Sequence, residues 1–323
     1  MPFRRRECGG YVALAALDFV SPMRRCEVRS PTMSKFCEQR SGVTSALRVG
    51  HYTCEAFPRR RTFARHDYAV LQFFTQGRAQ MVQRTTVAVG AGDVLIVPAG
   101  EPHRLAQVHQ TAAWGIGVQV ACYVHAEISP LLDVFGRTRA GASSVVHIPG
   151  NRQQYLHELF VELQHEVSAG AGSAFTDVVQ KSLLGLILAQ VQRAAVDVPV
   201  QARLPAVVCE ALAFIEQHCF EGISLRDVAD AVHRSPAYVT TMLRQATGRT
   251  AVEWITAGRM AEAANWLART DELVENIAER VGYADTTHFI RMFRRAFTST
   301  PHAWRVAHRR SAVAGAVSLV HGS

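Results

Sequence analysis

The spacing of apolar residues changes from period two to a three-and-four spacing along the chain. Between about residue 45 and residue 125, apolar and polar positions alternate in short runs separated by Gly and Pro. This pattern is typical of β-strands joined by tight turns. It predicts an all-β barrel or jelly roll over residues 45–150. The predicted strands are Tyr68–Phe74, Gln80–Gln83, Thr85–Val89, Asp93–Val97, Trp114–Val120 and a returning strand at Ser144–Ile148.

Two long helices are predicted in residues 151–195. Apolar residues recur at helical spacing in Gln154–Val167 and in Phe175–Val191. The second helix is apolar around much of its circumference, so it is expected to be covered on more than one side. Packing within one subunit and contact with a second copy of the chain both satisfy this pattern. Prolines then break any helix in residues 196–204, which are predicted to be a linker.

Residues 205–306 contain one short pattern twice. After a predicted first helix, Ala206–Cys219, an apolar helix, a turn and a capped second helix are followed by the same order about 49 residues later. Ser235 and Asp285 are predicted to cap the second helix of each copy. Each copy is therefore predicted to be a helix-turn-helix unit. The repeated core positions are Val228, Ala229, Val232, Val239, Met242 and Leu243, and then Ile277, Ala278, Val281, Phe289, Met292 and Phe293.

A helix is predicted between the two units. Ala251–Arg269 carries an apolar stripe at helical spacing, and a helix of this length measures roughly 28 Å. Successive major-groove entries on one face of B-DNA lie ~34 Å apart. The two units could therefore reach adjacent grooves with some bending of the DNA.

Segments of residues 205–306 resemble the DNA-binding domain of the AraC-type family of transcription regulators, which consists of two such units joined by a long helix. The matching segments are Ser224–Ala229, Ser235–Val239, Arg259–Ala263, Ile277–Tyr283, His288–Arg295 and Pro301–Arg305. A double motif at this spacing is specific. His233 and Arg234 depart from the family's turn, Leu273 replaces a capping Ser, and Thr298 stands where Gly is common, which leaves the exact helix ends open.

The resemblance implies that outward residues early in each recognition helix contact the bases. Arg291 is expected to bind guanine O6 and N7 with both guanidinium nitrogens, whereas Arg244 and Arg294 have the simpler alternative of a solvated helix face. The expected DNA-binding residues are Ala237, Thr240, Thr241, Arg244, Thr286, Thr287, His288, Arg291 and Arg294.

The net charge of +8 is weak support for DNA binding because of where it lies. Residues 1–65 hold 13 basic and 5 acidic residues, which accounts for the whole excess. Local segregation is more informative, since six arginines and no acidic residue follow Asp285. A basic face of this kind attracts phosphates.

A second resemblance lies in the predicted barrel. Gly92, Pro98, Gly100 and His103 have the spacing of the second cupin motif, in the form found in the sensor domains of AraC-type regulators. A metal-binding cupin needs two further histidines and a carboxylate, but Tyr68 stands at one histidine position and no Glu follows before Gly77. We therefore expect no metal and no cofactor, and instead a pocket for a small molecule. The candidate ligand-binding residues are His66, Tyr68, Phe73, Met81, His103, Trp114 and Gln119.

Taken together, these features indicate a ligand-responsive transcription regulator that is not an enzyme. Its expected partners are double-stranded promoter DNA, a small-molecule effector, RNA polymerase and a second copy of the chain. Two alternatives stay open, a cupin-type metalloenzyme with an accessory helical domain and a non-specific architectural DNA-binding protein.

The remaining features concern location and the chain ends. Seven cysteines, an odd number without a CxxC pair, favour a reducing cytoplasm. No apolar run is long enough to span a membrane. The basic and apolar start of the chain resembles a signal peptide, but Asp18 interrupts its apolar run. We therefore expect residues 1–44 to be a basic disordered tail, or translation to begin at Met23 or Met33. Residues 307–323 are expected to be a flexible end.

Overall fold

The computed structural model describes residues 46–56, 63–83, 85–169, 175–195 and 204–308. Its N-terminal part is an antiparallel sheet with helices, and its C-terminal part is entirely helical. The predicted fold class, an all-β domain with helices followed by an all-α domain, is confirmed. Residues 1–44, nearly all of the predicted linker 196–204, and residues 309–323 lie outside the described residues.

The described sheet has six strands in the order β1-β5-β2-β4-β6, and β3 also pairs with β2. All of these ladders are antiparallel. Strand β2 is central because it pairs with β5 along its whole length, with β4 through its first half and with β3 through its second half. The strands are β1 Leu47–Ala56, β2 Ala69–Val82, β3 Thr86–Gly90, β4 Asp93–Val97, β5 Arg104–Val118 and β6 Val145–His147.

Strand β2 corrects the prediction of two separate strands at Tyr68–Phe74 and Gln80–Gln83. The chain stays in one strand, and the register against β5 shifts between Phe74 and Arg78. Gly77 at this point has φ 75°, and a Cβ there would overlap the carbonyl of Gln110. Gly77 therefore forms an irregularity inside a strand and not a turn between strands.

Each face of the sheet has its own apolar core. On one face, Leu71, Phe73, Trp114 and Ile116 pack with helices that follow the sheet in sequence. On the other face, a second cluster includes Tyr68, Val70, Phe74, Met81 and Val97. The two sets alternate along β2 and β5, as expected for strands that are buried on both sides.

The helices after residue 149 agree closely with the predicted positions, whereas the short helix at Asp133–Ala140 lies in the region predicted to be all-β. The connecting helix occupies Ala251–Arg269 as predicted, and the second long helix begins and ends within three residues of its predicted bounds. The helices are α1 Asp133–Ala140, α2 Gly150–Ala169, α3 Thr176–Ala194, α4 Ala206–His218, α5 Leu225–Ala231, α6 Pro236–Thr247, α7 Ala251–Arg269, α8 Val274–Arg280 and α9 Thr286–Phe297. Residues 301–308 are also helical.

The C-terminal part has one core for each unit, and α7 contributes to both. Trp254 and Ile255 near the start of α7 pack with α4, α5 and α6. Ala261 and Leu267 further along pack with α8, α9 and Trp304. The connecting helix is therefore a structural part of each unit. No helix in the described ranges combines the length and the apolar character needed to span a bilayer.

Candidate DNA interface and ligand site

The first recognition helix, α6, is fixed by its cap and its buried face. The Ser235 hydroxyl accepts a hydrogen bond from the Tyr238 amide at 3.3 Å, and Pro236 occupies the first helical position. Val239 and Leu243 are fully buried in the core of the unit. These contacts turn the opposite side outward. Of the predicted DNA-binding residues, Ala237, Thr241 and Arg244 are exposed and Thr240 is half-buried.

The second recognition helix, α9, repeats this arrangement with a more basic outer face. The Asp285 carboxylate accepts a hydrogen bond from the Thr287 amide at 2.8 Å. Phe289 and Phe293 are fully buried. The outer face carries Thr287, His288, Arg291 and Arg294, which are exposed, and Thr286, which is half-buried.

Helix α7 contacts both helix-turn-helix units. Thr250 and Glu253 form a capping box at its start. Within it, the Arg259 guanidinium donates to the carbonyls of Cys219 and Ile223 in the first unit at 2.6 and 3.3 Å. The same guanidinium lies 5.3 Å from the ring centroid of Tyr283 in the second unit. One half-buried side chain therefore contacts both units.

The arginines of the expected interface differ in their freedom to bind phosphate. Arg291 and Arg294 form no ion pair within the described part of the chain. By contrast, Arg249, between α6 and α7, lies 3.2 Å from the carboxylate of Asp67 in the sheet domain. Its charge is already matched by that carboxylate.

Two exposed residues extend the predicted interface. Tyr238 on α6 has 44% of its surface exposed, and Arg295 on α9 is also exposed. The sequence contained the signal for both, because they fall between the buried positions of each helix. Met242 and Met292, which were predicted to be core positions of the two recognition helices, are only half-buried.

In the sheet domain, three predicted ligand residues lie together. The ring of His66 stacks on Tyr68 with centroids 4.8 Å apart, and it lies 5.0 Å from the ring of His103. The Arg48 guanidinium lies 4.6 Å from the Tyr68 ring centroid. Arg48 was not predicted, because β1 itself was not predicted from the sequence.

Burial keeps both imidazoles neutral. It lowers the pKa of His66 to about 3, with smaller contributions from His103 and Arg48. Burial also lowers the pKa of His103, although the hydrogen bond between its Nδ1 and the Glu101 carbonyl, at 3.0 Å, acts in the opposite direction. Two neutral rings of this kind can donate to and accept hydrogen bonds from an uncharged ligand group.

The other four predicted ligand residues do not all lie beside the cluster of His66, Tyr68 and His103. Met81 belongs to the same apolar cluster as Tyr68. Phe73 and Trp114 lie on the opposite face of the sheet, where their rings pack against α2. Gln119 is buried just after the end of β5. The seven residues therefore do not line one cavity.

Among the described residues, one group of possible metal ligands lies close together, and it is separate from the cluster of His66, Tyr68 and His103. Glu162, His165 and Glu166 have ligand atoms within 4.8 Å of one another on α2. The first two are exposed and the third is half-buried. Exposed acidic groups of this kind are common on helices without any ion, so the group gives no support for a metal centre.

Comparison with known proteins identifies two domains. A family described as an AraC-like ligand binding domain matches residues 49–175, and a helix-turn-helix domain family matches residues 228–307. The chain is 31% identical over 96 residues to the regulatory protein PocR of Salmonella typhimurium, and 36% identical over 94 residues to the transcriptional activator RhaS of an Enterobacter species.

These alignments cover 30% and 29% of this chain and 32% and 34% of PocR and RhaS, so the chain spans about a third of the length of those relatives. Among solved structures, apo ToxT K231A of Vibrio cholerae aligns over 83% of this chain and 99% of its own, at 11% identity and a TM-score of 0.40. The chain therefore has an N-terminal AraC-like ligand-binding domain followed by a helix-turn-helix domain, the order that the AraC-type resemblance predicted, and both matches agree with that family.

Proposed function

We propose that this protein is a sequence-specific, DNA-binding transcription regulator whose activity is controlled by a small molecule. The observation that carries the proposal is the pair of exposed recognition helices, α6 and α9, mounted on the single helix α7. Helix α7 measures roughly 28 Å, close to the ~34 Å between successive major-groove entries. One chain can then present both helices to one face of a duplex.

The relatives support regulation over catalysis. PocR is named as a regulatory protein and RhaS as a transcriptional activator. The cupin-type metalloenzyme finds no support in the family matches, which describe ligand binding and DNA binding. In this proposal the protein acts in the cytoplasm on promoter DNA together with RNA polymerase.

The proposed effector site is the cluster of His66, Tyr68, His103 and Arg48 in the cupin-like domain. Two neutral imidazoles offer hydrogen bonds, and the guanidinium above the Tyr68 ring offers a cation. The apolar cluster that contains Tyr68 and Met81 continues from this place. An uncharged or anionic ligand with an apolar or aromatic body fits these groups.

The proposed second copy would cover the outer face of α2 and α3. Phe175 and Val178 expose 73% and 61% of their surface, and Val161 and Leu186 are also exposed. Val178 and Leu186 lie on one side of α3 because they are eight residues apart. A surface of this kind is typical of a protein contact, so a homodimer through these helices would bury it.

The test is selection of binding sites from a pool of random duplexes by the full-length protein. We expect enrichment of one motif with two conserved blocks, about one helical turn apart. Binding without any enriched motif would favour the architectural alternative. Absence of binding to duplex DNA would overturn the proposal.

A further inference from the structure

The sheet domain is joined to the first helix-turn-helix unit by a buried, bidentate ion pair. The two terminal nitrogens of Arg139, on α1, lie 2.7 and 3.2 Å from the two carboxylate oxygens of Glu216, on α4. The Arg139 side chain is only 3% exposed. The thiol of Cys209, also on α4, lies 3.8 Å from the Arg139 carbonyl. The Glu216 side chain is 20% exposed, so the pair is largely but not completely shielded from solvent.

A second ion pair joins the domains where α6 meets α7. The Asp67 carboxylate lies 3.2 Å from Arg249, and the Asp67 side chain is only 4% exposed. Beside it, Gly100 leaves no room for a side chain, since a Cβ there would lie 2.9 Å from the ring of Trp254 and 3.1 Å from Thr247. The backbone of the sheet domain therefore contacts this corner directly.

The residues that hold the DNA-binding domain alternate with the residues of the effector site. Asp67 follows His66, and Gly100 lies three residues before His103. Hydrogen bonds tie the two segments together, from the Gly100 amide to the His66 carbonyl at 2.7 Å and between the backbones of Ala64 and His103 at 2.8 and 3.0 Å. A ligand that shifts the backbone at His66 or His103 therefore also shifts the backbone that carries Asp67 and Gly100.

Helix α7 is also held at its far end. Arg269 pairs with Asp177 on α3, and it donates to the Gln180 side chain at 2.9 Å. Both ends of the helix that carries the recognition helices are thus tied to the N-terminal part. Because α7 measures roughly 28 Å, less than the ~34 Å between adjacent major-groove entries, docking of both units requires the units to shift or the DNA to bend. If both ends of α7 stay tied to the N-terminal part, the units cannot shift and the DNA has to bend instead.

We propose that the ion pairs Asp67–Arg249 and Arg139–Glu216 clamp the first helix-turn-helix unit on the sheet domain and restrain DNA binding, and that a ligand that displaces His66 or His103 releases the clamp. This inference rests on the proposed function and adds the route by which the effector site controls DNA affinity. Asp67 also neutralises the charge of Arg249. When this pair is broken, Arg249 can attract a DNA phosphate.

The experiment compares full-length protein with Asp67→Asn, Glu216→Gln and the double variant. Each change keeps the shape of the side chain and removes its charge. Hydrogen exchange of the backbone amides in α4 and at residues 248–250 reports the clamp, and affinity for the selected duplex reports its consequence. Glu272→Gln is the matched control, because it breaks the exposed pair of Glu272 with Arg280, at 3.0 Å, inside the DNA-binding domain.

We expect faster exchange in both regions of the double variant and DNA binding that is about fivefold or more tighter. The control is expected to stay within about twofold of the wild type. The clamp is disproved by unchanged exchange in the double variant, or by faster exchange with unchanged or weaker DNA binding. These results leave the proposed function intact, whereas failure of both the wild type and the double variant to select any site contradicts the function itself.

Discussion

His233 and Gly282 occupy equivalent positions in the two helix-turn-helix turns and share a left-handed backbone, with φ 52° and φ 83°. The amide of each donates to a carbonyl of the preceding helix, at Asp230 and Glu279. The turn therefore requires a positive φ in both units. Glycine meets that requirement without strain in the second unit, whereas the first unit imposes it on a residue with a side chain.

We predict that His233→Gly stabilises the protein. The left-handed conformation costs about 1–2 kcal/mol for a residue with a Cβ, and glycine loses about 0.5–1 kcal/mol through the greater freedom of the unfolded chain. The free energy of unfolding should therefore rise by about 0.5–1 kcal/mol. Denaturant unfolding measures this change, and a decrease in stability would contradict the assignment of strain to the turn.

Gly282→Ala should act in the opposite direction. Besides the unfavourable φ, an added Cβ would lie 2.8 Å from the Phe220 carbonyl oxygen and 3.0 Å from the Gly222 amide nitrogen. Neither backbone group can move away easily. We expect a loss of about 1–3 kcal/mol in the same unfolding measurement, so two substitutions at equivalent positions should have opposite signs.

The sequence predicted the helical part of the fold more closely than the sheet. Helix α7 has a capping box and a continuous apolar stripe, which are local signals, and its predicted and observed bounds coincide. The split of β2 at Gly77 was wrong, because a glycine irregularity inside a strand has the same local signature as a turn. Strand β1 and the first half of β5 were missed because they lack clear alternation.

In the candidate sites too, local spacing predicted some features, whereas contacts between residues far apart in the sequence were not predicted. Outward positions on α6 and α9 follow from helical spacing alone. The ligand set mixed the two faces of the sheet, although Tyr68 and Phe73 are five residues apart and strand alternation places them on opposite faces. The ion pair of Arg139 with Glu216 joins residues 77 positions apart, so no local pattern predicts it.

We predict that Arg291→Ala weakens binding to the selected duplex more than binding to random duplex. Loss of a bidentate contact to guanine costs about 1–3 kcal/mol of discrimination. Titration of both duplexes over a range of salt concentrations measures it, and Arg193→Ala, an exposed arginine at the end of α3, is the charge control. Equal weakening on both duplexes with a salt slope smaller by about one would show instead that Arg291 binds phosphate.

Acid should destabilise the protein through His66. Its pKa is lowered to about 3 in the folded state, from an ordinary value of 6.5, chiefly by burial. Below about pH 6.5 the unfolded chain binds a proton that the folded protein excludes, so stability is complete above this pH and falls as the pH decreases. Between pH 6.5 and pH 5 the loss from this residue is about 2 kcal/mol.

The measurement is denaturant unfolding of wild type and His66→Gln at pH 7.5 and pH 5. The variant should lose about 2 kcal/mol less than the wild type between the two pH values. His109→Gln, which changes an exposed ring, is the control and should behave as the wild type does. An identical pH dependence in His66→Gln and wild type would mean that the imidazole is not held neutral by burial.

The exposed face of α3 gives a prediction about assembly. If Val178 is covered by a second copy, Val178→Asp places an unpaired carboxylate in an apolar contact at a cost of about 3 kcal/mol or more, which weakens the dimer about 100-fold. Sedimentation over a range of concentrations measures the change. Val252→Asp is the matched control, because Val252 on α7 is also exposed, at 55%, but lies far along the chain from this face. A monomeric wild type, or a dimer that Val178→Asp leaves intact, would exclude this face as the dimer contact.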